Sequence, residues 1–137
     1  MHIYVGYFTY FLSESYLESG NIKHARDSIE ETLTLSRKID SKYIEAKSLI
    51  LKGRISGKMT PSEMDTAENN ILDGLESLET MKLKPDTAQG YLYLGELYAD
   101  NGQKEKAFEN LTKAEGMFKE MEMDYWLERT KKILVRL

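Results

Sequence analysis

Five residues near the N-terminus recur near the C-terminus at one constant separation. The later set lies 82 residues after the earlier one and consists of Leu94, Tyr98, Gly102, Ala107 and Leu111. The earlier set consists of Leu12, Tyr16, Gly20, Ala25 and Ile29. Ser13 stands where Gly95 does, so the match is weaker at that place. An unrelated helical bundle would not require a constant separation, which therefore indicates an internal repeat.

A middle copy of the repeat is more divergent. Gly53, Ala67 and Ile71 match its small and large positions, and the steps from Ala25 to Ala67 to Ala107 are 42 and 40 residues. The middle copy is two residues longer between its glycine and its alanine than the last copy. We therefore expect a longer loop around residues 58–62.

Apolar residues recur at helical spacing along the chain, and glycine, asparagine and proline interrupt them only at isolated points. The pattern predicts an all-α domain over residues 1–137, with three antiparallel helical hairpins and a C-terminal capping helix. We place the hairpins at about 3–39, 42–81 and 86–121, and the capping helix at about 124–137. At the fourth helix, Thr60 is expected to cap, with Pro61 in the first helical position and Glu63 completing a capping box.

The last hairpin carries the most specific motif. It reads Tyr91-x2-Leu94-Gly95-x2-Tyr98, then Asn101-Gly102, then Ala107-x3-Leu111-x2-Ala114. This resembles the tetratricopeptide repeat (TPR) pattern, although the period here exceeds the 34 residues of a plain TPR. The resemblance implies a right-handed α-solenoid that binds protein or peptide partners on its concave face, mainly through the first helix of each hairpin.

A narrower resemblance concerns the segments 48–55 and 118–137. Ser48-Leu49-Ile50-Leu51-Lys52-Gly53-Arg54-Ile55 and the Met123-Asp124-Tyr125-Trp126 opening of the last helix resemble long-period TPR arrays of large bacterial signalling ATPases. This implies a protein–protein interaction or scaffolding module, the C-terminal regulatory part of a larger bacterial signalling protein. The alternative is a stand-alone sensor that binds a peptide or small molecule in the groove.

The resemblance also assigns the residues that would line the concave face. They are Tyr7, Tyr10, Glu14, Lys47, Arg54, Gln89, Tyr93 and Glu96. Plain surface is the alternative for each of them. For Trp126, packing against the sixth helix is favoured over a role as interface anchor. The basic residues Arg129, Lys131, Lys132 and Arg136 indicate a solvated outer face of the capping helix.

The first helix is apolar on nearly every side. Its aromatic residues Tyr4, Phe8 and Phe11 predict self-association, because exposed patches of this kind mark association sites. Two explanations remain open and are compatible. Either another hairpin precedes this one in a longer natural chain, or the first helix is buried in a dimer.

Composition excludes several kinds of function. The chain has no cysteine and only two histidines, so we expect no thiol chemistry, no metal site and no cofactor. No nucleophile–base arrangement is readable, which argues against an enzyme and leaves no catalytic residue to name. A net charge of −4 argues against nucleic acid and anionic membrane as partners. The absence of cysteine favours the cytoplasm.

Overall fold

The computed structural model describes residues 2–137, with side chains from Ile3 onwards. All regular structure in this part of the chain is helical. The helices are α1 (His2–Glu18), α2 (Ile22–Lys38), α3 (Lys42–Gly57), α4 (Met64–Thr80), α5 (Lys84–Asp100), α6 (Lys104–Glu120) and α7 (Asp124–Val135).

Five of the six turns between the described helices contain one residue with a positive φ angle, and the turn between α3 and α4 does not. Gly20 and Gly102 have φ angles of 84° and 74°, the left-handed conformation expected of a glycine that ends a helix. After α2, α4 and α6, the same conformation is adopted by Asp40, Lys82 and Glu122, with φ of 55°, 58° and 56°. The separations between these three residues are again 42 and 40 residues. The sequence repeat is therefore also a repeat of backbone conformation.

Polar side chains cap the N-termini of two of the helices. The Asn21 side chain accepts a hydrogen bond from the backbone N–H of His24 at 3.3 Å. The Ser41 hydroxyl accepts one from the N–H of Ile44 at 3.2 Å. Each cap satisfies one backbone donor that has no partner inside the helix.

The capping box predicted for the fourth helix is wrong. Pro61–Glu63 forms a short 3-10 helix, and α4 begins only at Met64. The Thr60 side chain makes no capping hydrogen bond to the backbone. Its hydroxyl instead pairs with that of Ser62 at 2.7 Å. Proline does favour the start of this segment, but the tighter helix changes the geometry that a capping box needs.

The contacts between Cα atoms divide the chain into two compact units, with the boundary between Ser77 and Leu78 in α4. In the first unit, α1 packs against α2, α2 against α3, and α1 also contacts α3. In the second unit, α5 packs against α6, α6 against α7, and α5 also contacts α7. In each of these two sets of three helices, consecutive helices pack together and the first also contacts the third, as in consecutive antiparallel hairpins.

Small residues let the helices of each hairpin approach closely. A Cβ atom on Gly95 would lie 2.6 Å from Cγ of Leu111, so α5 and α6 could not keep this spacing with a larger residue there. In the first hairpin, the equivalent Ser13 is fully buried. Its hydroxyl pairs with that of Ser28 at 2.7 Å and donates to the Thr9 carbonyl at 2.8 Å. A polar side chain is tolerated there because its hydrogen bonds are satisfied.

Candidate interaction surfaces

Aromatic rings of α1 and α3 gather around one lysine in the first unit. The Nζ atom of Lys47 lies 4.9 Å from the ring centroid of Tyr10 and 5.4 Å from that of Tyr43. Tyr7 lies beside Tyr43, with ring centroids 6.3 Å apart. We call these four residues the first-unit cluster. Because α1 and α3 are the first helices of consecutive hairpins, the cluster lies on the helices that the TPR resemblance assigns to partner binding.

The members of the first-unit cluster differ in exposure. Tyr7, Tyr43 and Lys47 are half-buried, whereas Tyr10 is 7% exposed. The ring of Tyr10 therefore supports its neighbours and presents little surface of its own. An ammonium group over an aromatic face is attracted by the ring's electrons, so the rings of Tyr10 and Tyr43 hold the ammonium group of Lys47 in place.

Two further predicted residues meet along the same pair of helices. Arg54 of α3 lies 3.7 Å from a carboxylate oxygen of Glu14 of α1, and both side chains are largely covered. The structure thus brings five of the predicted binding residues together in the first unit: Tyr7, Tyr10, Glu14, Lys47 and Arg54.

A second group of aromatic and basic residues lies in the second unit. The guanidinium carbon of Arg129 in α7 lies 5.2 Å from the ring centroid of Trp126 and 5.6 Å from that of Tyr93 in α5. Tyr93 meets Trp126 edge to face at 6.3 Å. We call these three residues the second-unit cluster. Tyr93 is only 6% exposed, whereas Trp126 and Arg129 are half-buried. These two residues therefore provide the accessible surface of the second-unit cluster.

Two predictions concern side chains of α7, and the structure agrees with the one for Trp126 and disagrees with the one for Arg129. Trp126 stacks on Phe118 of α6 at 6.1 Å, the packing that the sequence favoured. The assignment of Arg129 to a solvated outer face is wrong, because it covers two aromatic rings. The remaining predicted residues of this unit, Gln89 and Glu96, are half-buried on α5.

Tyr43 was not among the binding residues predicted from the sequence. It precedes Lys47 by four residues and so shares its helix face, a signal that was present in the sequence. For Arg129, the spacing of three residues from Trp126 was a comparable signal, whereas its second aromatic partner, Tyr93, lies on another helix and could not be read from the sequence.

The outer stripe of α1 is apolar and exposed. Tyr4, Phe8 and Phe11 are 74%, 67% and 55% exposed, and Val5 is 45% exposed. These aromatic residues are three or four positions apart and so line one side of the helix. The structure therefore leaves on the surface the three residues for which self-association was predicted.

A hydrogen-bonded network joins three helices in the second unit. The Tyr91 hydroxyl of α5 donates to a carboxylate oxygen of Glu79 at 2.5 Å and accepts from Nζ of Lys113 at 2.9 Å. Burial raises the pKa of Tyr91, and the hydrogen bond to Glu79 raises it further. The pKa of Lys113 is also raised, chiefly by its hydrogen bond to Tyr91.

Neither a metal site nor a membrane-spanning helix is found among the described residues, 2–137. No three His, Asp or Glu side chains described there are grouped so that they would hold a metal ion. Among the same residues, no helix combines the length and apolarity needed to cross a membrane.

The repeated hairpins define the class of the fold: an all-α, TPR-like repeat protein. A crystal structure of a Signal Transduction ATPase with Numerous Domains (STAND) protein with a tetratricopeptide repeat sensor, from Pyrococcus horikoshii, is similar to this chain with a TM-score of 0.75. The similarity covers 99% of this chain at 18% identity, and 21% of that chain, so this chain spans about a fifth of its length. The predicted TPR-like fold is confirmed.

Comparisons by sequence found no match, whereas the comparison of structures did. No protein-family model matches the sequence. No curated protein sequence matches it either. The likeness to known proteins therefore rests on backbone geometry, which tolerates far more change than sequence does.

Proposed function

We propose that the chain is a protein–protein interaction module whose first helices grip an extended segment of a partner. The main supporting observation is the first-unit cluster, in which Lys47 lies over the buried ring of Tyr10 and the half-buried ring of Tyr43. Aromatic side chains supply large contact area at low entropic cost, and a lysine held over them pairs with an acidic residue of the partner. The proposed contacts in this unit are Tyr7, Tyr10, Glu14, Lys47 and Arg54, with Tyr43 added.

The second-unit cluster supports the same proposal independently. Trp126 and Arg129 combine the two residue types that most often dominate binding energies at interfaces. Gln89 and Glu96, half-buried on the neighbouring α5, supply polar groups that orient a bound peptide, and Tyr93 supports Trp126 from below. Each cluster is proposed as a contact surface in its own right.

Peptide selection tests the proposal directly. Peptides enriched on the purified chain from a random library would be labelled and their affinities measured by fluorescence anisotropy. Lys47→Ala should weaken binding roughly tenfold, because it removes both the cation and its hold on two rings. Lys23→Ala, at an exposed lysine of α2, is the matched control and should leave the affinity unchanged. If no peptide is enriched, or both variants bind like the wild type, the proposal is wrong.

A stand-alone sensor is the alternative function. It draws support from the Pyrococcus horikoshii protein, whose tetratricopeptide repeats are described as a sensor. A sensor of small molecules would show a thermal shift with a small ligand and no enriched peptide. Peptide enrichment therefore separates the interaction module from a sensor of small molecules, whereas a sensor of peptides would enrich peptides as well.

We further propose that this module belongs to the C-terminal regulatory part of a larger cytoplasmic signalling protein and has no catalytic role. The support is the large size of the similar STAND protein relative to this chain. Self-association through Tyr4, Phe8 and Phe11 belongs to the same proposal, since their exposed rings lose contact with water when two copies pair. Neither nucleic acid nor membrane is proposed as a partner, given the net charge of −4.

A further inference from the structure

A cavity of about 290 Å³ lies in the second unit, beside the Tyr91 network. Its apolar lining comes from Met117, Thr87 and the ring of Tyr91. Lys82, Lys84 and Lys113 contribute to the same lining, together with Glu79. The lining therefore carries three positive charges and one negative charge, in a chain whose net charge is −4.

Two of the four charged groups in this lining take part in hydrogen bonds, and the other two make no ion pair with a described residue. Glu79 accepts a hydrogen bond from the Tyr91 hydroxyl, and Lys113 donates a hydrogen bond to the same hydroxyl. Both charged groups therefore belong to one hydrogen-bonded network. Lys82 and Lys84 are exposed, and neither makes an ion pair with any residue in the described part of the chain. An anion entering the cavity would therefore meet two ammonium groups that are not already paired.

The cavity lies at the junction between α4 and α5, and the equivalent junction one repeat earlier lies between α2 and α3. We call the earlier one the first junction and the later one the second junction. Lys42 opens α3 as Lys84 opens α5, 42 residues later, and Glu45 occupies the position of Thr87. The Glu45 carboxylate lies 2.8 Å from Nε of Arg37 and 3.7 Å from Nζ of Lys42. At the first junction, then, a carboxylate of the chain itself neutralises Lys42 at the start of α3 and Arg37 at the end of α2.

The second junction keeps the lysine as Lys84, but it has Thr87 in place of Glu45 and Glu79 in place of Arg37. Thr87 is shorter than Glu45, is 5% exposed, and turns its hydroxyl to the Leu83 carbonyl at 2.8 Å. Its side chain cannot reach the ammonium groups as the side chain of Glu45 does. The turn adds a charge as well: Lys82 stands where the two other turns of this kind carry the acidic residues Asp40 and Glu122.

We propose that this cavity binds a small organic acid, with its carboxylate between Lys82 and Lys84 and its apolar body against Met117 and Tyr91. The bound carboxylate pairs with Lys84 as the carboxylate of Glu45 pairs with Lys42, and Lys82 supplies the second cation that Arg37 supplies at the first junction. The cavity volume lies at the lower end of the range for ligand pockets, which suits a single small acid. The site is separate from both proposed partner-binding clusters and does not depend on them.

Benzoate is the probe for this site. The chain would be labelled with ¹³C at its methionine methyl groups and titrated with benzoate, while the Met117 methyl signal is followed by NMR. A saturable shift of that signal is expected. Benzamide, which has the same shape without the charge, should bind much more weakly, and inorganic phosphate should not shift the Met117 methyl because it has no apolar body.

Three variants locate the binding. Lys84→Ala should weaken benzoate binding roughly fivefold, since it removes one partly exposed ion pair. Lys42→Ala, at the equivalent residue of the first junction, is the matched control and should leave the affinity unchanged. Thr87→Glu supplies a carboxylate from the chain itself and should abolish the saturable shift. Should that buried substitution unfold the chain, Lys84→Glu at the exposed lysine makes the same test.

The outcomes distinguish binding at this site from non-specific binding of benzoate. If benzoate causes no saturable shift at Met117, no acid binds there and the proposal is wrong. Equal binding of benzamide, or equal weakening by Lys42→Ala and Lys84→Ala, would overturn it as well. Loss of peptide binding by Lys47→Ala has no bearing on these results, because Lys47 lies in the first unit.

Discussion

Gly53 of α3 lies so close to α4 that a Cβ atom there would come within 2.5 Å of Cγ1 of Ile71 and 2.6 Å of the Ala67 carbonyl oxygen. Ala67 and Ile71 are both fully buried, so neither has room to move away. The equivalent glycine of the last hairpin, Gly95, meets Leu111 in the same manner. The glycines of the repeat thus set the distance between the two helices of a hairpin.

Replacing Gly53 by alanine should therefore destabilise the protein. The added methyl group would force the helices apart, and we expect a loss of about 1–3 kcal/mol in the free energy of unfolding. Chemical denaturation followed by circular dichroism measures it. Gly116→Ala is the control, because a Cβ on Gly116 of α6 meets nothing within 4 Å. There alanine should raise stability by up to about 1 kcal/mol, through its better helix propensity. Equal effects at both sites would contradict this account.

The buried hydroxyl pair of Ser13 and Ser28 should behave as a coupled unit. Ser13→Ala leaves the Ser28 hydroxyl with only a long 3.4 Å contact to the Thr9 carbonyl, and should cost about 1 kcal/mol. Ser28→Ala should cost a similar amount. In the double variant no hydroxyl is left without its partner, so the combined loss should be smaller than the sum of the two single losses. A double-mutant cycle by urea denaturation measures this, and strict additivity would argue against the coupling.

The exposed stripe of α1 should hold two copies of the chain together. We expect light scattering to give a mass near twice 15.9 kDa for the wild type. Phe8→Glu combined with Phe11→Glu should give the monomer mass, because two charges would enter an apolar interface. Phe108→Glu, at a residue of α6 that is 60% exposed, is the control and should keep the dimer mass. A wild-type monomer at high concentration would overturn self-association.

The Tyr91 network should make the protein sensitive to alkaline pH. The folded-state pKa values of Tyr91 and Lys113 are both raised above their ordinary values of 10.0 and 10.5. A group whose pKa is raised on folding stabilises the protein below its ordinary pKa, and this contribution is lost as the pH rises through the folded value. Stability should therefore fall as the pH is raised beyond about 10.

Thermal unfolding at a series of alkaline pH values measures this loss. The double variant Tyr91→Phe with Lys113→Met lacks both groups and should lose less stability over the same pH range than the wild type does. Tyr4→Phe, at a tyrosine that is 74% exposed, is the control and should follow the wild type. Identical pH profiles for the double variant and the wild type would contradict the role of the network.

The sequence by itself determined the helices and their repetition. Helical spacing of apolar residues and the glycines at turns are local signals, and the separation of 82 residues between Ala25 and Ala107 needs no coordinates to be read. The TPR-like class of fold followed from the same pattern. The start of α4 was predicted wrongly, because Thr60, Pro61 and Glu63 suit both a capping box and a 3-10 helix.

Tertiary structure alone decided which side chains meet and which stay exposed. The first helix is apolar nearly all round, so its sequence has no periodicity to say that Phe8 faces solvent while Tyr10 is buried. Arg129 and Tyr93 lie on different helices and come together only by packing. The cavity beside Thr87 likewise depends on three helices at once, since its size and charge are properties of their packing and of no single segment.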